Sequence, residues 1–160
     1  MKLKENVIKK CRVCDSSNLQ DVLDLGVQPW GNDFKEKPGA SEKYPLIGVF
    51  CKDCTTFQIK HNVSKEIMYD DHTYLSGANA SMPEHFQKIA DKACSNFGID
   101  VNFVADIGSN DGTLLKAYKN RGKKVLGIEP CESIAKIANE SDIPTISEYF
   151  DLETAEKIIN

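Results

Sequence analysis

The chain has 160 residues, of which 41% are hydrophobic and 28% are charged, and its formal net charge is −4. This composition is ordinary for a soluble globular protein, and the acidic balance gives no support to a general surface for nucleic acid or acidic membranes. No apolar run reaches the length of a membrane span, and the opening MKLKENVIKK lacks the apolar core of a signal peptide. We therefore expect a cytoplasmic protein with no nucleic-acid or membrane partner, in a reducing compartment where structural disulfides are rare.

The first predicted element is a pair of matched cysteine turns, CRVC at 11–14 and CKDC at 51–54. A tight turn between such cysteines aims both sulfurs at one point, and two turns supply four thiolates for tetrahedral zinc. We predict a structural zinc ion bound by Cys11, Cys14, Cys51 and Cys54, because four thiolates leave no open coordination position. Unrelated thiols and a redox pair are the alternatives, although a redox CxxC usually stands alone beside a βαβ pattern.

Apolar patterns around the second turn predict internal structure in this first module. The 36 residues between the turns exceed the roughly 15–20 of a simple zinc ribbon. LQDVLDLG has apolar spacing followed by a glycine stop, whereas YPLIGVF and TTFQIKH predict two short strands flanking Cys51 and Cys54. We take residues 1–78 as a zinc-binding module and residues 79–160 as a second domain.

A polar, irregular stretch at 62–80 precedes a predicted helix in SMPEHFQKIADKACSNFG. Ser81 and Glu84 have the spacing of a capping box, Pro83 stands in the first turn, and Gly98 follows the end. Tyr74, in the irregular stretch, has a hydroxyl that can face a substrate or simply pack, and the residues leave both open. The apolar residues of the helix share one face: Phe86, Ile89, Ala90, Ala93 and Phe97.

Strands and helices alternate through the second half and predict a parallel sheet. An apolar strand at 103–107 ends in the turn GSNDG, a helix follows, and a second strand in KKVLGIEP ends at Glu129. CESIAKIANES then reads as a helix and PTIS as a short third strand. Such alternation places a nucleotide-type site at the strand ends. Cys94 and Cys131 lie inside helical patterns, and we expect both to be small buried hydrophobes.

The turn after the first of these strands carries candidate ligand-binding residues. Asn110 occupies the place of the middle glycine of GxGxxG, which is tolerable because Asn accepts left-handed backbone angles. A carboxylate at Glu129 can accept hydrogen bonds from both ribose hydroxyls. Acidic Asp106 and Asp111 suit a cationic ligand better than a phosphate, which favours S-adenosylmethionine over a dinucleotide. The predicted cofactor-binding residues are Asp106, Gly108, Ser109, Asn110, Gly112, Glu129 and Pro130.

DIGSNDGTLLKAY followed by GKKVLGIEP resembles the sugar-nucleotide C-methyltransferases, a family within the class I methyltransferases. The family also carries two CxxC pairs, an LGxQPxxNxF-like segment and a Y-x-Y-x-S loop, which LGVQPWGNDF at 25–34 and HTYLS at 72–76 match here. The resemblance implies methylation of carbon 3 of a keto-deoxysugar attached to a nucleoside diphosphate, with Tyr74 the candidate for touching the sugar. His72 departs from the pattern, because the family usually has a tyrosine there.

The expected fold class is α/β, with a small zinc-ribbon-like module followed by the first part of a Rossmann-like parallel sheet. Family members are considerably longer by resemblance, so we expect a truncated form or fragment that is inactive alone. We also expect an exposed sheet edge that invites association. One alternative is a non-catalytic zinc-ribbon adaptor, which the sparse basic residues near the cysteine turns and the placement of Glu129 disfavour. A second is a nicotinamide-dependent dehydrogenase, which the missing middle glycine disfavours.

Overall fold

The chain is described by a computed structural model for residues 7–29, 31, 36–39, 41–96 and 102–159. It divides into two compact units, residues 1–68 and 69–160, and the predicted boundary between residues 78 and 79 stays a prediction. Within the described ranges, no helix has the length and apolar character needed to cross a bilayer. Phe97, Gly98 and positions 30 and 32–34 of the LGVQPWGNDF segment lie outside the described residues.

The first unit is built on a three-stranded antiparallel sheet in the order β1-β2-β3. Its strands are β1 (Leu19–Pro29), β2 (Lys43–Cys51) and β3 (Phe57–Ile59), so the two strands predicted beside the second cysteine turn are confirmed. The predicted glycine stop is wrong, because Gly26 lies inside β1 at a φ of 69°. Its N–H donates to Asp24 Oδ1 at 2.8 Å where the register of β1 against β2 shifts. Glycine here permits a bulge instead of ending the strand.

The stretch at 62–80 is more regular than its composition predicts. It contains helix α1 (Lys65–Tyr69) and a single 3₁₀ turn at Ser76–Ala78. The helix that follows is confirmed as α2 (Ser81–Asn96), but its cap differs from the predicted capping box. The side-chain oxygen of Asn79 accepts hydrogen bonds from the Ser81 N–H at 3.0 Å and the Ser81 hydroxyl at 2.9 Å. Asn79 therefore satisfies a donor of the first helical turn.

The second unit contains the predicted parallel sheet, with strand order β4-β5-β6. The strands are β4 (Phe103–Ile107), β5 (Lys124–Ile128) and β6 (Thr145–Ile146), and the helices between them are α3 (Thr113–Lys119) and α4 (Glu132–Glu140). The chain continues into α5 (Leu152–Ile159), which the sequence patterns did not predict. The α/β fold class is thus confirmed.

The core of the second unit forms where α3, α4 and β5 meet. Its buried cluster comprises Leu115, Val125, Ala138 and Ile143, with Val104 and Tyr118 packed against it. Cys131 is fully buried as predicted, whereas Cys94 is exposed, so the prediction for Cys94 is wrong. Cys94 is on the helix α2, whose only fully buried side chain among the described residues is Ala90.

The ends of the three parallel strands are in register. Ile107 pairs with Ile128, and Ile128 pairs with Ile146, so the carboxyl ends meet at one edge of the sheet. Residues that follow these strands are thereby brought together. No described strand pairs with the outer side of β4, and association through this strand edge stays a prediction.

Candidate functional site

Each cysteine turn closes with the same backbone hydrogen bond. The Asp15 N–H donates to the Cys11 carbonyl at 3.0 Å, and the Thr55 N–H donates to the Cys51 carbonyl at 2.9 Å. Both donor residues have a φ of 61°. A β-branched threonine at positive φ is uncommon and persists only where its surroundings hold it. The shared geometry identifies the two turns as equivalent halves of one site.

The two turns bring four sulfur atoms together. Sγ of Cys11 lies 3.5 Å from Sγ of Cys54, and Sγ of Cys14 lies 3.6 Å from Sγ of Cys51. All four sulfurs lie within 4.8 Å of one another. These separations far exceed a disulfide bond of about 2.05 Å and match the roughly 3.8 Å expected when four sulfurs surround zinc at about 2.3 Å. The four cysteines therefore fit a tetrahedral zinc ion.

The protein supports these sulfurs with hydrogen bonds of its own. Gln58 Nε2 lies 3.1 Å from the Cys11 sulfur, and Thr56 Oγ1 lies 3.2 Å from the Cys54 sulfur. Asp53, inside the second turn, accepts hydrogen bonds from two side chains that follow the first turn. The donors are the Ser16 hydroxyl at 2.5 Å and the Asn18 side-chain amide at 2.8 Å. Such contacts around metal ligands fix their orientation.

The pKa values of the clustered cysteines also favour a bound cation. Hydrogen bonds, chiefly from the backbone amide of Cys14, lower the pKa of Cys11 to about 6, and the Thr56 hydroxyl lowers that of Cys54. At Cys14 the backbone amide of Ser16 acts to lower the pKa, but the Cys54 sulfur, burial and the other sulfurs together raise it to about 12. Adjacent sulfurs resist joint ionisation, and a divalent metal ion relieves that repulsion. The first unit is therefore a zinc-binding module in which four protein ligands saturate the metal.

In the second unit, the turn between β4 and α3 has left-handed backbone at three positions. Gly108, Asn110 and Gly112 have φ values of 75°, 52° and 75°. A Cβ atom added at Gly112 would lie 2.8 Å from Cγ2 of Ile143, so packing as well as conformation requires glycine there. No described atom lies within 4 Å of the corresponding point at Gly108. The Gly108 backbone is therefore accessible to a ligand.

Glu129 follows β5 and is only 4% exposed. Its Oε2 accepts a hydrogen bond from the Asn110 N–H at 2.9 Å, and its Oε1 accepts one from the Cys131 N–H at 2.9 Å. His72 Nε2 lies 3.9 Å from the same Oε1. A carboxylate has about four lone-pair sites, so this one can accept further hydrogen bonds while the two backbone donors fix its position.

A cavity of about 530 Å³ opens at the carboxyl ends of β4 and β5. This volume is within the range of roughly 300–1,000 Å³ typical of small-molecule sites. The lining includes five of the residues predicted from sequence: Tyr74, Gly108, Asn110, Glu129 and Pro130. The described lining is completed by Tyr69, His72, Ser76, Ile107, Ile128, Tyr149 and Phe150.

The other three predicted cofactor residues are not among the described residues that line this cavity. Ser109 is buried against Gly127, where an added Cβ would lie 2.4 Å from the serine Oγ. Gly112 packs on the core as described above. Asp106 is half-buried, and burial followed by the charge of Glu129 raises its pKa. A cofactor-binding role for Asp106, Ser109 and Gly112 stays a prediction.

Sequence reasoning missed Tyr69 and two further aromatic residues of the cavity, Tyr149 and Phe150. Both follow β6, and the Tyr149 hydroxyl donates to Asp70 Oδ1 at 2.5 Å. Ligand-binding residues lie at the carboxyl ends of parallel strands, and this rule located Glu129 after β5. Applied to the end of the third predicted strand, the same rule would have indicated the region of Tyr149 and Phe150. His72 was singled out only as a departure from the family pattern.

Comparison with known proteins supports the zinc-binding module and a likeness to a C-methyltransferase. Residues 11–69 match the family model Methyltransf_13, whose description is "Putative zinc binding domain". The chain is also 27% identical over 155 residues to the C-methyltransferase NovU of Streptomyces niveus. That alignment covers 94% of this chain and 37% of NovU. The resemblance to C-methyltransferases with an N-terminal zinc-binding domain is thereby confirmed.

Proposed function

We propose that this relative of the C-methyltransferases, with its N-terminal zinc-binding domain, binds S-adenosylmethionine in the cavity at the ends of β4 and β5. One observation carries the proposal. The buried Glu129 carboxylate, fixed by two backbone N–H groups, lines the cavity with hydrogen-bonding capacity left for ribose hydroxyls. The zinc ion would have a structural part only, because its four thiolates leave no position for a substrate.

The cavity suits a sulfonium nucleoside better than a dinucleotide. Its twelve described lining residues include no lysine or arginine to pair with a pyrophosphate, and they include the carboxylate of Glu129. Three tyrosines and a phenylalanine, at positions 69, 74, 149 and 150, supply aromatic surface. Aromatic faces attract cations and stack on bases. S-Adenosylmethionine presents a ribose, an adenine and a positive sulfur without a phosphate.

We further propose that the methyl acceptor is a keto-deoxysugar nucleotide, as the family resemblance implies, and that the protein acts in the cytoplasm. In that chemistry a base removes the acidic proton beside the 4-keto group. The resulting enolate carbon attacks the methyl group of S-adenosylmethionine, whose S–CH3 bond breaks so that S-adenosylhomocysteine leaves. Tyr74 is our candidate for contact with the sugar or with charge in the transition state, because this residue lines the cavity and is 52% exposed. We do not assign the base to it.

We expect residues 1–160 by themselves to bind the cofactor feebly and to show no turnover. Tyr74, Ile107 and Phe150 line the cavity yet are 52%, 59% and 47% exposed, so its mouth is open to water. An open site holds neither a sugar nor a base in reacting geometry.

Calorimetric titration tests the cofactor assignment. The zinc-loaded chain is titrated with S-adenosylmethionine and, separately, with NAD⁺. We expect saturable binding of the first and none of the second. Binding of NAD⁺ alone would favour the dehydrogenase alternative, and binding of neither ligand would favour a zinc-ribbon adaptor. Incubation with labelled S-adenosylmethionine and a 4-keto sugar nucleotide tests turnover, which we expect to be absent.

A further inference from the structure

The residues Tyr74–Gly77, which we name the strap, are hydrogen-bonded to the turn after β4 through backbone groups. The Ser76 N–H donates to Asn110 Oδ1 at 2.8 Å, and Asn110 Nδ2 donates to the Tyr74 carbonyl at 3.0 Å. One carboxamide thus satisfies a donor and an acceptor of the strap together. This pairing requires an amide, because a carboxylate has no N–H to donate and glycine has neither group.

Asp111 provides the next contact along the strap. Its Oδ2 accepts a hydrogen bond from the Gly77 N–H at 2.7 Å. Its Oδ1 accepts from the Thr113 hydroxyl at 2.6 Å and from the Thr113 N–H at 3.2 Å, at the start of α3. A Cβ atom added at Gly77 would lie 2.8 Å from Asp111 Oδ2 and 2.7 Å from Thr113 Oγ1. The strap approaches the turn so closely that a side chain at position 77 would displace the side chains of Asp111 and Thr113.

Asn110 is also bonded to the cavity carboxylate. Its backbone N–H donates to Glu129 Oε2, while its side chain holds the strap, and the residue is 9% exposed. Its φ of 52° is one that glycine would adopt more readily. The backbone conformation alone therefore does not account for an asparagine at position 110, whereas the hydrogen bonds of its side chain to the strap do. Tyr74 and Ser76, at either end of the carboxamide contacts, both line the cavity.

We propose that Asn110 and Asp111 are positioning residues, which hold the strap so that Tyr74 and Ser76 form one wall of the ligand cavity. This inference rests on the proposed function for the identity of the ligand, but the strap contacts are testable without it. The sequence assigned Asn110 to the cofactor, and the charge of Asp111 was taken only to favour a cationic ligand. The side chains of both residues hydrogen-bond to backbone groups of the strap. They act on the substrate through Tyr74.

Amide hydrogen exchange of the ligand-free chain, read by NMR, tests the contacts. Asn110→Gly keeps the backbone conformation available and removes both carboxamide bonds. We expect exchange of the Ser76 amide to accelerate about fivefold or more, the change expected for one net hydrogen bond. The amide of Gly127, which donates to Pro144, should be unchanged and thereby shows that the sheet remains folded. Asn120→Gly, at the exposed end of α3, is the matched control.

A fluorine signal from 3-fluorotyrosine at Tyr74 separates positioning from a purely structural role. Asn110→Asp keeps an acceptor for the Ser76 N–H but loses the donor to the Tyr74 carbonyl. We therefore expect the Tyr74 signal to shift while the Ser76 amide stays protected, and Asn120→Gly to leave both as in the wild type. Wild-type exchange at Ser76 in Asn110→Gly, or an unchanged Tyr74 signal in Asn110→Asp, would overturn the inference. Failure of S-adenosylmethionine to bind the wild type would instead overturn the proposed function.

Discussion

Cys11 and Cys54 belong to different turns of the chain, yet their sulfur atoms lie 3.5 Å apart. Thiols at this distance are too far apart for a disulfide and too close to ionise together without a cation. One backbone hydrogen bond closes each turn and thereby fixes the positions of that turn's two cysteines. The zinc-binding assignment thus rests on geometry as well as on cysteine spacing.

Loss of the metal should unfold the first unit. We expect one zinc ion per purified chain and its loss in Cys14→Ser or Cys51→Ser, since structural zinc supplies an apparent binding free energy on the order of 10–16 kcal/mol. Metal analysis together with far-ultraviolet circular dichroism measures both effects. Cys94→Ser, at an exposed thiol outside the cluster, should retain the metal. Zinc-free protein with Cys11 and Cys14 in a disulfide would contradict the assignment.

Removal of the Glu129 carboxylate should weaken cofactor binding. Glu129→Ala is expected to cost about 1.5–3 kcal/mol of S-adenosylmethionine affinity, the range for hydrogen bonds to a charged group. Calorimetry on the chain, or on a longer form that contains it, measures the change. Glu132→Ala removes an exposed carboxylate from the first turn of α4 and should leave the affinity unchanged. Equal affinities for the two variants would remove Glu129 from the site.

Alanine at Gly112 should destabilise the second unit more than alanine at Gly122. The two glycines share nearly the same backbone strain, with φ values of 75° and 76°, but no described atom lies within 4 Å of an added Cβ at Gly122. At Gly112 the added Cβ meets Ile143 at 2.8 Å. We expect Gly112→Ala to cost about 1–3 kcal/mol more, the usual penalty for overpacking. Urea unfolding of both variants gives the difference, and equal losses would show that Ile143 moves aside freely.

Asp106 should make stability depend on pH in a defined direction. Its folded-state pKa is raised by burial and then by the charge of Glu129, so the folded state binds more protons than the unfolded state between the two pKa values. The free energy of unfolding therefore falls as pH rises from the unfolded value, about 3.9, through the raised folded value. The side chain of Asp106→Asn cannot ionise, so the variant lacks this fall in the free energy of unfolding.

Unfolding of the wild type and of Asp106→Asn across that pH range measures the effect. The variant should gain stability relative to the wild type as pH rises. Asp142 provides a control of opposite sign, because hydrogen bonding to Lys119 lowers its pKa. Asp142→Asn should lose stability relative to the wild type over the acidic range where Asp142 ionises. A constant difference between the wild type and Asp106→Asn would show that the carboxyl group titrates alike in both states.

Local sequence patterns determined the metal ligands, the sheet and the position of Glu129. Two CxxC turns fix the direction of four sulfurs within a few residues each, and alternation of strands and helices sets which residues stand at strand ends. These features depend on short-range geometry. They were therefore predictable from spacing, and the structure shows the cysteine cluster and the parallel strands as expected.

Tertiary structure alone decided what the side chains around the cavity contact. The sequence assigned Asn110 to the cofactor and used Asp111 only as a charge that favours a cationic ligand. The structure shows that each side chain accepts a hydrogen bond from a strap residue 34 positions away in sequence. The helical pattern around Cys94 is compatible with a buried side chain, but the packing of α2 leaves Cys94 exposed. A sequence period specifies which residues share a face of an element. Which face is covered, and which backbone group lies within 3 Å of a given side chain, depends on how elements distant in the chain pack together.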